Sequence, residues 1–172
     1  LMEEAGGQFL TIFPSVEDER FRHHYRALHD ARQAIYAAVA ARGGETLLRV
    51  YQGMAETSSA VPGGLEEEGA TIRRRQRKNT CLAILATRDT PEVHQLLLRQ
   101  FHEATAATDR LTAFSLILES SAPERPKILE TFMAESAKSP VAWESFLATV
   151  AASDCDDLIP ILERIESSPA FS

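Results

Sequence analysis

Apolar side chains recur along this 172-residue chain at intervals of three and four, the spacing of an amphipathic α-helix, whereas alternating β-branched runs are nearly absent. In the segment DTPEVHQLLLRQFHEA, Thr90 can cap a helix that has Pro91 at its first position, where a missing amide costs no hydrogen bond. The apolar stripe of this predicted helix consists of Val93, Leu97, Phe101 and Ala104.

Two later segments begin in the same way. In TDRLTAFSLILESS, the side chain of Thr108 or Asp109 can accept the free amides of the first turn. In SPVAWESFLATVAAS, Ser139 and Pro140 occupy the corresponding positions. The two apolar stripes consist of Leu111, Phe114 and Leu118, and of Trp143, Phe146, Leu147 and Val150.

Further helices are predicted over residues 21–41, 45–54, 66–86, 128–136 and 158–165. Gly43 and Gly44 separate the first two, and TSSAVPGG, from Thr57 to Gly64, is a loop. Pro160 should kink or delay the last helix. The stripes predicted for the first two helices are Tyr25, Leu28, Ile35 and Val39, and Leu47, Leu48, Tyr51 and Met54.

Helices joined by short turns pack as antiparallel neighbours, and a succession of such pairs forms a solenoid. The predicted fold is therefore all-α: an irregular α-α superhelix, a solenoid of antiparallel helix pairs with a pitch of roughly 30 to 40 residues per pair.

Composition fits one folded unit, with 44% hydrophobic and 25% charged residues. The chain contains no run of about 18 apolar residues, and its first residues lack a basic segment followed by an apolar one, so we predict neither a membrane partner nor a secretory signal. The two cysteines, Cys81 and Cys155, match no C-x-x-C spacing. We expect reduced, buried thiols and a cytoplasmic protein.

The net charge of −7 is concentrated in the second half, because residues 87–172 hold seven basic and fourteen acidic side chains. An acidic surface repels phosphates, so no nucleic-acid partner is predicted despite the basic run from Ile72 to Lys78. On a helix this run covers more than half of the circumference. It is typical of a solvated or salt-bridged helix face, and a site for an anionic partner is the alternative.

The stretch FHEATAATD begins like the zinc-binding motif H-E-x-x-H, with His102 followed by Glu103. The second imidazole is missing, because position 106 is alanine, and no two of the five histidines are spaced four apart. We therefore interpret His102 and Glu103 as an exposed pair at a helix end.

Two other kinds of site were considered. The run Asp154 to Asp157 is no EF-hand loop, because Ile159 stands where glycine is needed, and it is expected to form the acidic first turn of a helix capped by Ser153. A Ser-His-Asp triad stays open from the residues alone, although no G-x-S-x-G motif supports one.

One stretch, residues 77–113, has a more specific order of features. It runs Arg77-Lys78-Asn79-Thr80-Cys81-Leu82, then an amphipathic helix ending Gln100-Phe101, then Ala104, then Thr108-Asp109 opening a helix with Ala113. This order resembles the C-terminal domain of the aminopeptidase N family, which are zinc metallo-aminopeptidases of the gluzincin type. Weaker similarity extends to Leu10-Thr11-Ile12, Pro14-Ser15-Val16, Leu47-Leu48 with Tyr51, and Pro169-Ala170-Phe171.

The resemblance implies that residues 1–172 are part of one C-terminal α-solenoid domain, cut at both ends. It implies that the zinc ligands, the general base and the loop that binds the substrate amino terminus belong to an earlier domain. We therefore expect no catalytic, cofactor-binding or metal-binding residue in this chain, and zinc in the parent enzyme. The expected partners are the catalytic domain of the same polypeptide and peptide substrates. The implied role is a wall of the active-site cavity that limits access. The alternative is a free-standing helical-repeat scaffold that binds a protein.

Overall fold

The computed structural model describes Arg20, residues 23–56 and residues 65–168. Over these ranges the secondary structure is α-helical, with one residue of 3₁₀ geometry and no strand, which confirms the all-α prediction. The helices are α1 (Tyr25–Glu56), α2 (Leu65–Ala86), α3 (Pro91–Glu103), α4 (Ala107–Leu118), α5 (Arg125–Ser136), α6 (Pro140–Ala151) and α7 (Leu158–Glu166). The expected loop at 57–64 and the similar motifs at 10–16 and 169–171 lie outside the described residues.

The chain divides into two compact units, Leu1–Arg88 and Asp89–Ser172. In the first unit α1 packs along α2. The prediction that 1–172 forms part of a single larger domain stays a prediction.

Helix α1 differs from the sequence prediction, because it runs without a break through Gly43 and Gly44. Glycine inside a helix costs about 1 kcal/mol relative to alanine, and we expected this cost to end the helix. The stripe predicted for residues 21–41 was also wrong, since Tyr25 and Ile35 are exposed, whereas Leu47 and Tyr51 of the second predicted stripe are buried. The buried positions are Tyr36, Ala40, Gly44, Leu47 and Tyr51.

Gly44 therefore lies on the buried stripe rather than in a connection. A Cβ atom at this position would lie 2.7 Å from Nη1 of Arg88, whereas a Cβ atom at Gly43 would meet nothing within 4 Å. The missing side chain at Gly44 makes room for the arginine that follows α2. Packing of α1 against α2 offsets the low helix propensity of the two glycines.

In the second unit, neighbouring helices pack in pairs, α3 with α4 and α5 with α6. Helix α4 also contacts α5 and α6, so one pair stacks on the next, and α7 packs on α6. This is the local arrangement that a helical-repeat array requires.

The proline-led helix starts were predicted correctly. Thr90 and Ser139 are the N-cap residues of α3 and α6 and have extended backbone angles, although neither side chain caps its helix with a hydrogen bond. The predicted cap of α4 was wrong, because its N-cap is Ala106. The carbonyl of Ala106 accepts the amides of Asp109 and Arg110, at 3.1 and 3.2 Å, which closes the first turn without a polar side chain.

Pro160 does not delay α7, because this helix begins at Leu158 as predicted. Pro160 is the third residue of this helix. The first four amides of a helix have no intrahelical acceptor, so a proline at this position removes no hydrogen bond.

The core of the second unit is a cluster of four phenylalanine rings, one from each of α3 to α6. We name Phe101, Phe114, Phe132 and Phe146 the aromatic cluster. Phe101 is 1% exposed, Phe132 is 8% exposed, and the other two rings are fully buried. Ring centroids of Phe114 and Phe132 are 4.7 Å apart, and those of Phe101 and Phe132 are 5.3 Å apart in an edge-to-face arrangement. The apolar stripes predicted from the sequence placed Phe101, Phe114 and Phe146 in the core, and this is confirmed, whereas Trp143 of the same stripe as Phe146 is only half-buried.

Truncating the aromatic cluster should destabilise the chain strongly. Phe101→Ala removes a ring that contacts two others, and we expect a loss of about 3 to 5 kcal/mol in the free energy of unfolding, the usual cost for a buried aromatic. Urea denaturation followed by circular dichroism measures this loss.

His102→Ala is the matched control, because His102 follows Phe101 directly but is exposed. Its edge contact with the Phe101 ring, at 5.2 Å between centroids, is open to water, so we expect a change of no more than about 0.5 kcal/mol. Equal losses for the two variants would contradict the assignment of Phe101 to the core and His102 to the surface.

The two free cysteines should differ in reactivity. Cys81 is fully buried, and burial raises the pKa of its thiol to about 11, whereas Cys155 is only half-buried. Since the thiolate is the reactive form, a disulfide reagent at pH 8 should modify Cys155 in the native chain and Cys81 only after unfolding. The variant Cys155→Ser should lose the fast phase, and a fast phase that persists would contradict the burial of Cys81.

Candidate functional site

His102 and Glu103 form the last turn of α3, and both side chains are exposed, as predicted. In the part of the chain that the structure describes, no group of three or more His, Cys, Asp or Glu side chains is placed to hold a metal ion. The expectation that catalytic, cofactor and metal residues lie outside this chain stays a prediction.

A serine, a histidine and an aspartate do meet in the second unit. Nε2 of His94 lies 2.7 Å from Oδ1 of Asp89, and the backbone amide of Ser121 donates to both oxygens of the same carboxylate, at 3.0 and 3.3 Å. A catalytic triad requires the histidine to lie between the serine and the acid. Here the aspartate lies in the middle, so the arrangement cannot activate the serine hydroxyl and is a structural contact.

This contact holds Asp89 in an unusual conformation. Its φ angle is 44°, in the left-handed region that aspartate and asparagine tolerate better than most residues. Partial burial raises the pKa of the Asp89 carboxyl, but hydrogen bonds from His94 and Ser121 outweigh burial and leave the pKa below its ordinary value. The charged form of Asp89 is therefore the form that the fold stabilises.

Arg125 connects three helices through one guanidinium group. Its Nε donates to the carbonyl of Leu118, the last residue of α4, at 2.6 Å. Its Nη1 donates to Oδ2 of Asp157, the N-cap residue of α7, at 2.9 Å, and its Nη2 donates to the other carboxylate oxygen. Hydrogen bonds from Arg125 lower the pKa of Asp157, and the same pair raises the pKa of Arg125. A bidentate pair of this kind fixes both distance and orientation.

The role predicted for the run Asp154 to Asp157 was wrong. These residues precede α7 rather than forming its first turn, and the N-cap is Asp157. Ser153 does not cap this helix either, because its hydroxyl donates to the carbonyl of Val150, at 2.7 Å, and lies 3.2 Å from Sγ of Cys155. The amide of Asp154 donates to Glu119 at 3.3 Å.

Three long-range polar contacts have a similar sequence separation. Asp89 and Ser121 are 32 residues apart, Glu119 and Asp154 are 35 apart, and Arg125 and Asp157 are 32 apart. Each of these contacts therefore joins two segments that lie about one helix pair apart along the chain. The separation falls within the predicted pitch of 30 to 40 residues.

Arg110 makes a further contact that the sequence analysis missed. Its guanidinium lies 4.6 Å from the Phe101 ring centroid and 4.8 Å from that of Phe132, and Nη2 is 2.5 Å from Oε2 of Glu135. It covers the edge of the aromatic cluster with a cation and orients that cation with a carboxylate. No local pattern pairs residues 25 positions apart, so sequence alone offers no signal for this contact.

The basic run lies on α2 and is not a uniform solvated face. Arg73 is exposed, Arg74 and Arg75 are half-buried, and Lys78 is only 7% exposed. The run thus extends around the helix as predicted, with its last residue in the interior of the first unit. Among the described helices, none has the length and apolar character needed to cross a membrane.

Comparison with known proteins identifies the family. The family described as a domain of unknown function (DUF3458_C) with ARM repeats matches residues 10–172. Aminopeptidase N of Escherichia coli (strain K12) is 28% identical over 106 residues, which is 62% of this chain and 12% of that protein. The chain thus spans about an eighth of the length of this curated relative.

A solved structure is also similar. The crystal structure of Legionella pneumophila aminopeptidase A in complex with aspartic acid matches 84% of this chain and 17% of its own, with a TM-score of 0.69 and 20% sequence identity. This likeness shows the fold, and together with the ARM-repeat family it confirms the predicted α-solenoid. The chain belongs to the family of ARM-repeat domains described as DUF3458_C, and its similarity to aminopeptidase N supports its assignment as a C-terminal domain of the aminopeptidase N family.

Proposed function

We propose that this chain is part of the accessory domain of a cytoplasmic zinc aminopeptidase that removes amino-terminal residues from peptides. In this proposal residues 1–172 belong to one C-terminal α-solenoid domain, which walls the active-site cavity and limits access to it. The observation that carries the proposal is the match to aminopeptidase N over 62% of the chain. The partners are then the catalytic domain of the same polypeptide and the peptides that enter the cavity.

The chemistry of the described residues supports an accessory role. Several polar side chains meet at close range, such as Asp89 with His94 and Arg125 with Asp157. These side chains bind each other and the backbone, so their role is to hold helices together. A wall needs stable shape rather than reactive groups, and a stacked helical array supplies such a shape. The zinc ion and its general base would belong to the catalytic domain, where the metal would supply the chemistry for hydrolysis of the first peptide bond.

The isolated 172-residue chain should therefore be inert. With zinc added, an aminoacyl-fluorogenic substrate should show no turnover above the buffer rate, because the proposal places every metal ligand elsewhere. Turnover that a chelator abolishes and that His102→Ala removes would contradict the proposal and indicate a metal site at His102.

The parent enzyme tests the wall directly. Its kcat/KM should fall steeply as the substrate is changed from a short peptide to a folded protein with the same amino-terminal sequence, because a walled cavity admits only flexible chains. The control is the same protein substrate after unfolding, which should regain part of the lost rate. Equal kcat/KM values for the folded and unfolded substrate would contradict restricted access. A parent sequence without H-E-x-x-H would favour the alternative, a free-standing helical-repeat scaffold that binds a protein.

A further inference from the structure

Three carboxylates lie at the ends of helices in the second unit. Asp89 precedes α3, Glu119 follows α4, and Asp157 precedes α7. Their contacts place the segments before α3, between α4 and α5, and between α6 and α7 side by side. We name these three residues the carboxylate edge.

Each member of the carboxylate edge contacts a segment about one helix pair away along the chain. Asp89 accepts the amide of Ser121, and Glu119 accepts the amide of Asp154, so two carboxylates repeat the same contact about one helix pair apart. Asp157 receives the guanidinium of Arg125, which also donates to the end of α4. The carboxylate edge therefore connects all three segments in series.

We propose that the carboxylate edge is a pH-dependent conformational device. In its charged form it fixes the relative positions of the segments at the ends of the helix pairs. Protonation of Asp89 and Asp157 frees these segments while the aromatic cluster stays packed. The proposal concerns this chain alone and does not depend on the function proposed above.

The contacts of the carboxylate edge are more accessible to water than those of the aromatic cluster. The carboxylate contacts can therefore break while the ring contacts stay intact. The side chains of Asp89 and Asp157 are 42% and 46% exposed, so protons reach them in the native state. The rings of the aromatic cluster are at most 8% exposed and carry no charge. Lowering the pH therefore weakens the carboxylate edge, whereas the ring-to-ring contacts of the aromatic cluster involve no titrating group.

The charged and titratable neighbours of both carboxylates favour the ionised form. Asp89 faces His94 of α3 together with the Ser121 amide and hydroxyl, and Asp157 faces Arg125 of α5 and the thiol of Cys155. Both carboxyl pKa values lie below their ordinary value. The stabilisation is thus fully present above pH about 4, the unfolded pKa, and is lost as the pH falls through the lower folded pKa.

The test uses the 172-residue chain with Asp89→Asn and Asp157→Asn combined. Asparagine tolerates the left-handed φ at position 89 and is a good N-cap residue at position 157, so the two changes remove charge with little effect on local backbone preference. The matched control is Glu144→Gln with Glu163→Gln, two exposed acids on α6 and α7. Both double variants change the net charge equally.

The measurement is amide hydrogen exchange by nuclear magnetic resonance at pH 7. In the variant of the carboxylate edge, the Ser121 amide should exchange about tenfold faster than in the wild type, because asparagine can still accept this amide but the hydrogen bond is no longer charge-assisted. The amides of Phe114 and Phe146 should keep wild-type rates. The control variant should match the wild type at every amide.

Hydrogen exchange measured at decreasing pH distinguishes loss of the carboxylate-edge contacts from global acid unfolding. After correction for intrinsic exchange, the Ser121 amide of the wild type should lose protection below pH about 4, before the Phe114 and Phe146 amides do, and the Asp→Asn variant should show no such early step. Simultaneous loss at all three amides, or a Ser121 rate that the Asp→Asn changes leave unaltered, would overturn the proposal.

Discussion

Burial of the aromatic cluster is the interaction on which the second unit depends. Helices α3 to α6 have 13, 12, 12 and 12 residues, a length at which an isolated helix is marginal in water. Each of them contributes one phenylalanine ring, and burying such a ring is worth about 1.5 to 3 kcal/mol in transfer free energy. The rings therefore stabilise the helices that carry them, and the helices place the rings, so neither forms without the other.

Polar contacts at the helix ends then fix how the pairs stack. Helices α3 to α7 begin without a side-chain capping hydrogen bond, so their ends are not defined by local caps. Long-range contacts supply what local caps do not: Arg125 satisfies a carbonyl at the end of α4 and binds the N-cap residue of α7. Apolar packing provides the stability, and these charged contacts select one register between neighbouring pairs.

Local patterns predicted much of this structure. Proline at the first helical position placed the starts of α3 and α6, and the three-and-four spacing identified Phe101 as core and the adjacent His102 as surface. Both features are decided within a few residues of the chain, which is why sequence alone suffices for them.

The features that the sequence analysis missed depend on residues distant along the chain. Gly43 and Gly44 were read as a break because propensity counts only the local cost, whereas packing against α2 and the space needed by Arg88 decide the outcome. Arg110 and Arg125 were missed because their partners lie 25 and 32 residues away. The capping role predicted for Ser153 was wrong for a local reason, because its hydroxyl donates to the carbonyl of Val150. The N-cap residue Asp157 is instead paired with the distant Arg125.

The motif at the end of α3 illustrates why spacing must be judged together with burial. His102 and Glu103 match the first half of a zinc-binding sequence, yet the residue that determines their position is Phe101, which is anchored in the aromatic cluster. With Phe101 directed inward, the next two residues point to solvent, because neighbouring positions on a helix differ by about 100°. A metal site on this helix would need a second imidazole one turn on, where the helix has already ended at Glu103. The helix that could carry the motif is thus too short to complete it, and the same shortness lets the chain turn back and bring Phe114 onto Phe101.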